Sequence, residues 1–195
     1  MPDRMKQGGR GGYEYFPEDG NHIFTLTQWY PRMCVYSDFK GWQNNQFTGR
    51  GEFALTFGDF KVSMNVPADH IVGSTGECQN YESVLSSTQL ARYKNSETAK
   101  EPIEIVTLAE AKNAEKSKSK QRKIWVYDAK NVRDFAWTSS RKYVWDGMRT
   151  IIPENKQNVM AMSFYPKEAY NLYRKYSTKA IVHTVLTYSD FTIPY

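Results

Sequence analysis

Hydrophobic positions along this chain alternate with polar ones in several short runs and adopt a helical spacing only near the end. Phe53, Leu55 and Phe57 share one face, with Ala54 and Thr56 on the other, which predicts a half-buried strand. After Gly58 and Asp59 the phase changes. Phe60, Val62, Met64 and Val66 now alternate with Lys61, Ser63 and Asn65. A two-residue Gly-Asp link between period-2 runs favours a tight hairpin, although a bulge in one continuous strand shifts the phase in the same way. Pro67 stops the ladder because it has no N–H to donate. Further short strands are expected over residues 13–16, 23–27, 71–73, 103–107, 124–127, 135–137, 143–145 and 159–164. Residues 1–22 otherwise read as polar loop, and residues 35–46 as a loop with Asp38, Gly41 and Trp42.

Helical spacing is expected over residues 80–95, with Val84, Leu85, Leu90 and Ala91 inward. Thr107 and Glu110 fit a capping box, in which each side chain satisfies a backbone N–H of the other. A short charged helix should follow and fray into a lysine-rich stretch. The longest helix is expected from about Pro166, where a first helical turn tolerates proline, to Tyr188. Ala169, Leu172, Tyr173, Tyr176 and Ala180 carry its apolar spacing. Sheets first and one long helix last predict a mainly β fold, saddle- or sandwich-like, with short inserted helices. The division expected is a β-domain over residues 1–164 and a helix over 165–195 that begins a second unit.

The 195 residues suffice for one domain, or one domain and part of another. Aromatics reach 15% of the chain, which favours sheet and supplies binding surface. The net charge of +5 raises nucleic acid as a partner, but the excess is local. Lys112, Lys116, Lys118, Lys120, Arg122 and Lys123 fall in one stretch, which reads more simply as a solvated surface; no nucleic-acid partner is expected. Cys34 and Cys78, the two cysteines, lie 44 residues apart without metal-ligand spacing, and whether they pair is left open. The N-terminus carries no apolar run like that of a signal peptide, and no stretch is apolar over the ~20 residues of a membrane span.

Catalytic patterns are missing. His22, His70 and His183 are far apart in sequence, and no HExxH, G-x-S-x-G or phosphate-binding GK[ST] motif occurs. The glycines at positions 8–12 therefore do not make a phosphate loop. No metal-ligating or catalytic residue is expected in this chain. His70 reads as a turn residue and His183 as part of a helix's polar face. Trp29, Tyr30, Trp42, Tyr81 and Trp137 are candidates for an aromatic platform, and for most of them core packing is the simpler reading. The exception is the neighbourhood of Trp29 and Tyr30, where Gln28, Pro31 and Arg32 suggest a loop or strand end. A carbohydrate-binding β-sandwich is the alternative that these rings suggest.

Three segments carry a family resemblance: TQWYPRMCVYSDFKGWQ from Thr27, GEFALTFGDFKVSMNVPADHIVGSTGE from Gly51, and NVRDFAWTSSRKYVWD from Asn131. In this order, followed by a helix that reaches Ile193-Pro194-Tyr195, they resemble the N-terminal β-domain of M1-family zinc metallopeptidases, closest to a bacterial, exported branch. The resemblance implies that the helix opens the family's thermolysin-like catalytic domain. It places the G-x-M-E-N loop and the HExxH zinc site beyond this chain, so zinc would belong to the parent protein alone. The family's T-Q-x-[Q/E] motif addresses the free amino end of a peptide substrate. Thr27 and Gln28 match it, but its last position is Tyr30, which offers no carboxylate. Gln28, Trp29, Tyr30 and Arg32 are the residues expected to border a substrate cleft. The chain would pack on its own catalytic domain, and alone would tend to self-associate.

Overall fold

The computed structural model describes residues 11–46, 48 and 53–195. Its strands are β1 (Gly11–Phe16), β2 (Asn21–Leu26), β3 (Tyr36–Ser37), β4 (Gly41–Trp42), β5 (Gly58–Pro67), β6 (Ile71–Ser74), β7 (Glu77–Cys78), β8 (Ile103–Val106), β9 (Arg122–Val132), β10 (Trp137–Ser140), β11 (Tyr143–Ile151) and β12 (Asn158–Pro166). The helices are α1 (Tyr81–Val84), α2 (Ser87–Ser96), α3 (Leu108–Ser117) and α4 (Tyr170–Phe191). The fold is mainly β, built from several antiparallel sheets with short helices between them and one long helix at the end. One sheet runs β1-β2-β10-β6, a second β12-β11-β8 and a third β5-β9-β7, while β3 and β4 form a small ribbon.

Period-2 alternation produces the shared core. On β9, Trp125, Tyr127 and Ala129 all point inward, and they meet Met64 and Val66 of β5, Ile71 and Val72 of β6, and Trp145 of β11. The rings of Tyr81, Tyr93 and Trp145 gather at one end of this core. Gly76 turns the chain from β6 into β7 at φ +83°, and a Cβ there would stand 2.3 Å from the Asp128 carbonyl oxygen. Only glycine meets both conditions.

Several expectations need correction. Residues 53–57 form no strand, so no hairpin turns at Gly58 and Asp59. β5 begins at Gly58, keeps one phase to Pro67 and pairs with β9, where a bulge opposite Asp59 has its extra residue on β9. Asn131 takes φ +51° there, and its N–H donates to Asp59 Oδ1 at 2.9 Å, which fixes the bulge. The helix expected over residues 80–95 is two helices. Ser86 breaks it by capping α2, accepting from the Gln89 N–H while the Gln89 side chain accepts from Ser86 N–H. Ala91 is exposed, and Tyr93 and Ser96 turn inward in its place.

Phe135 is fully buried but lies outside any strand, since β10 starts at Trp137. The loop expected over residues 35–46 contains the β3–β4 ribbon; the strand expected over residues 13–16 is present and starts two residues earlier, at Gly11, with a turn at residues 17–20, and residues 1–10 lie outside the described residues. Pro166 ends β12 instead of opening the last helix, which follows a 3-10 turn at Lys167–Ala169. The capping box of Thr107 and Glu110 is present as expected.

α4 lies on β11 and β12. Its buried Thr178 donates to Ser163 Oγ at 2.9 Å, and Arg174 reaches Glu104 at 2.8 Å. Tyr170 also donates to Glu104, at 2.6 Å. Beneath this contact Tyr165 donates to Asp146 Oδ2 at 2.6 Å, and burial pushes the Asp146 carboxyl up to about 6 against that hydrogen bond.

Candidate functional site

The segment after β2 gathers the residues singled out from the sequence. Gln28 and Trp29 are exposed. Trp29 donates its indole N–H to the Phe135 carbonyl at 2.9 Å and stands edge-on to Trp137 at 88°. Tyr30 turns inward, packs edge-on against Phe60 and donates to Asp134 Oδ1 at 2.8 Å. Burial raises the Tyr30 hydroxyl's pKa, and Asp134 adds to the effect. The Arg32 guanidinium lies 3.2 Å from the same Asp134 oxygen and donates to the Thr56 carbonyl. Asp134 therefore supplies a carboxylate beside Tyr30, and Tyr30, Arg32 and the Phe135 N–H all meet it at Oδ1. Gln28, Tyr30, Arg32 and Asp134 line a cavity of about 420 Å³ that also receives Cys34 and Phe53.

Gln28 and Trp29 also line a larger cavity of about 690 Å³. Its wall includes a column of near-parallel rings. His22 and Phe24 are 5.6 Å apart at 11°, and Phe24 and His70 are 6.2 Å apart at 23°. His22 and Phe24 come to one face because they stand two apart on β2. His70 is buried behind the turn at Pro67 and shares a 2.8 Å hydrogen bond with Ser139. Burial pushes the His70 imidazole down to about 4, with Arg141 adding to the effect, so it is neutral at pH 7. Burial and then Arg141 also lower the pKa of His22. Two guanidiniums complete the lining. Arg141 is paired with both oxygens of Asp69, at 3.1 and 3.3 Å, and Arg122 donates to Asn65. His70 closes the expected turn, its N–H donating to the Pro67 carbonyl at 2.9 Å, and its ring is in addition a buried wall of the cavity.

Among the described residues, Asp19, Glu115 and Glu168 make the one group of three side chains with metal-ligand spacing. Cations from the chain already serve it. The buried Lys142 ammonium contacts Asp19, Glu115 at 2.9 Å and Glu168 at 3.1 Å, and Lys167 contacts Asp19 at 2.9 Å and Glu115. Burial raises the Asp19 carboxyl, but hydrogen bonds from the two lysines overcome this and hold it well below its ordinary value. The chemistry is that of an internal ion cluster. His22, His70 and His183 join no such group among the described residues.

Cys34 and Cys78 are both free thiols. Lys112, Lys116, Lys118 and Lys120 are exposed, while Arg122 and Lys123 belong to β9. No helix of the described residues is long and apolar enough to cross a membrane. The outer side of α4 is apolar and open: Leu172, Tyr173 and Tyr176 are exposed, and with Ala180, Ile181 and Val185 they edge a groove of about 530 Å³.

Sequence reasoning found the Trp29 segment but missed the larger cavity. The alternation of His22 with Phe24 was a legible sign of a shared face. His70, Ser139 and Arg141 join them only through the pairing of β6 with β10, which places Val72 opposite Ser139. Compared with family models, with curated proteins and with solved structures, the chain matches none.

Proposed function

We propose that this chain is the non-catalytic N-terminal domain of a bacterial, exported M1-like zinc metallopeptidase. It packs on the catalytic domain, which α4 opens and whose remainder covers the apolar side of α4, and it borders the substrate cleft with Gln28, Trp29, Tyr30 and Arg32. The observation that carries the reading is the open apolar side of α4. Leu172, Tyr173 and Tyr176 are 61%, 43% and 53% exposed on a helix whose other side is anchored by Thr178 and Arg174. A helix apolar on a second side belongs against a second body. Left uncovered, the same surface promotes self-association of the chain.

In this role the chain contributes positioning and exclusion of water, while zinc in the other domain supplies the hydrolytic chemistry. Tyr30 itself offers no carboxylate to a substrate ammonium, so the family's preference for a free amino end is weakened here.

Sequencing the gene past the Tyr195 codon tests the proposal. The expected result is G-x-M-E-N followed by HExxH and a downstream Glu in the same frame. A stop codon, or a frame without zinc ligands, overturns it. Retention of the chain on a polysaccharide column would then favour a carbohydrate-binding role for Trp29 and the exposed Tyr36–Trp42 ring pair.

A further inference from the structure

We propose that the cavity between β2, β10 and the β5–β6 turn binds an aryl carboxylate, with its flat apolar body on the ring wall and its carboxylate on Arg122. The inference is independent of the peptidase reading.

The wall is suited to a flat apolar body. Phe24 sits between two imidazoles in a near-parallel column, and Trp137 and Val66 contribute further apolar surface. His70 is neutral at pH 7, so it adds ring area and no charge. A planar aromatic group gains area burial and edge-to-face contact with the ring edges of such a column.

The charge at the cavity is positive. Arg122 and Arg141 line it, and no carboxylate does so among the described residues. The two guanidiniums differ. Arg141 is neutralised by Asp69 and donates a further bond to Asn21. Arg122 is held by Asn65 through Nε, at 3.0 Å, and through Nη2 to the Asn65 carbonyl, and no described carboxylate lies within ion-pair distance of it. A guanidinium carries five N–H donors. Two are used in fixing its orientation, and the others remain for a ligand at an exposed rim. A preoriented guanidinium recognises a planar carboxylate by two parallel bonds.

Trp29 and Trp137 line the cavity, so their indole N–H resonances report its occupation. The experiment is titration of the ¹⁵N-labelled chain with 1-naphthoate at pH 7. Isothermal titration gives the affinity, and uncharged 1-naphthamide is the comparison. The expected result is saturable shifts at Trp29 and Trp137, with Trp125 and Trp145 unmoved. Arg122→Gln should weaken naphthoate binding about tenfold or more, the usual effect of losing a charge-assisted bond. Naphthamide should bind at least as weakly to the unaltered chain. Arg122 is exposed, and an unchanged thermal midpoint confirms that its variant is folded. Absence of saturable shifts overturns the proposal. So do shifts confined to Trp42, equal affinity for naphthamide, or a folded Arg122→Gln variant that binds naphthoate as the parent does.

Discussion

Replacing Lys142 by methionine should remove more stability than any change at a surface ion pair. The Lys142 side chain is fully buried, and its ammonium contacts Asp19, Glu115 and Glu168 while lying 4.4 Å above the Phe16 ring. Methionine fills most of the volume but leaves three carboxylates to share Lys167. Removing one member of a buried ion pair costs about 3–5 kcal/mol, because the remaining charge stays desolvated. With a urea slope of about 2 kcal/mol per molar, the unfolding midpoint should fall by about 2 M at pH 7.

The loss should also depend on pH in a defined direction. The Asp19 carboxyl is held below its ordinary value, so its contribution is present above about pH 4 and is lost as pH falls through its folded-state pKa. Burial lowers the pKa of Lys142, but its three carboxylates outweigh that and raise it. Its contribution is therefore complete below about pH 10 and is lost at higher pH. The gap between parent and variant should be widest near neutrality and narrow on acidification. Adding Glu115→Leu to Lys142→Met should recover part of the loss, since a buried pair replaced by apolar groups is close to neutral. The assay is urea unfolding followed by tryptophan fluorescence at about pH 7 and about pH 2.5, the second lying within the range where the Asp19 contribution is lost. A cost below about 1 kcal/mol, the value of an exposed pair, would refute the reasoning.

Other changes probe single contacts. Asp146→Asn should remove the penalty of a carboxyl whose folded-state pKa of about 6 lies above its unfolded value. The parent loses stability as pH rises from about 4 through 6, so the variant should gain roughly 1–2 kcal/mol on it between pH 4.5 and 7, allowing for solvent screening. An unchanged difference between the two urea midpoints would contradict this. Gly76→Ala should cost at least about 2 kcal/mol in the same assay, from a positive φ and a Cβ crowded by the Asp128 carbonyl. Ser86→Ala removes the cap of α2 and should cost about 1 kcal/mol, with a matching drop in thermal midpoint.

The sequence carried most of the framework because period-2 alternation reports which face of a strand is buried. β5 shows this where Phe60, Val62, Met64 and Val66 alternate with Lys61, Ser63 and Asn65, whereas β6, β8, β9 and β12 were legible as short apolar runs around Val72, Ile105, Trp125 and Ala161. Boundaries failed where a local hydrogen bond decided them. Ser86 split a continuous helical pattern by capping, and Asp59 stabilised a bulge on another strand that looked like a turn in its own. Residues 53–57 alternate as a strand does, yet form none, since alternation does not supply a neighbour to pair with. The Trp29 segment was legible because polar residues and Pro31 surround large rings. The cavity beside it was hidden, as its His70, Ser139 and Arg122 come from segments far apart that only sheet pairing unites. The Lys142 cluster was hidden for the same reason: Asp19, Glu115 and Glu168 are scattered along the chain.

The most direct test of the proposed role compares residues 1–195 with the product of the whole reading frame that encodes them. Zinc content would be measured by atomic absorption, and hydrolysis with leucyl-p-nitroanilide and an N-blocked peptide. The prediction is one zinc per chain and zinc-dependent hydrolysis for the whole product, with neither for residues 1–195. Zinc or hydrolysis in residues 1–195 alone, or a whole product that holds no zinc, would contradict it.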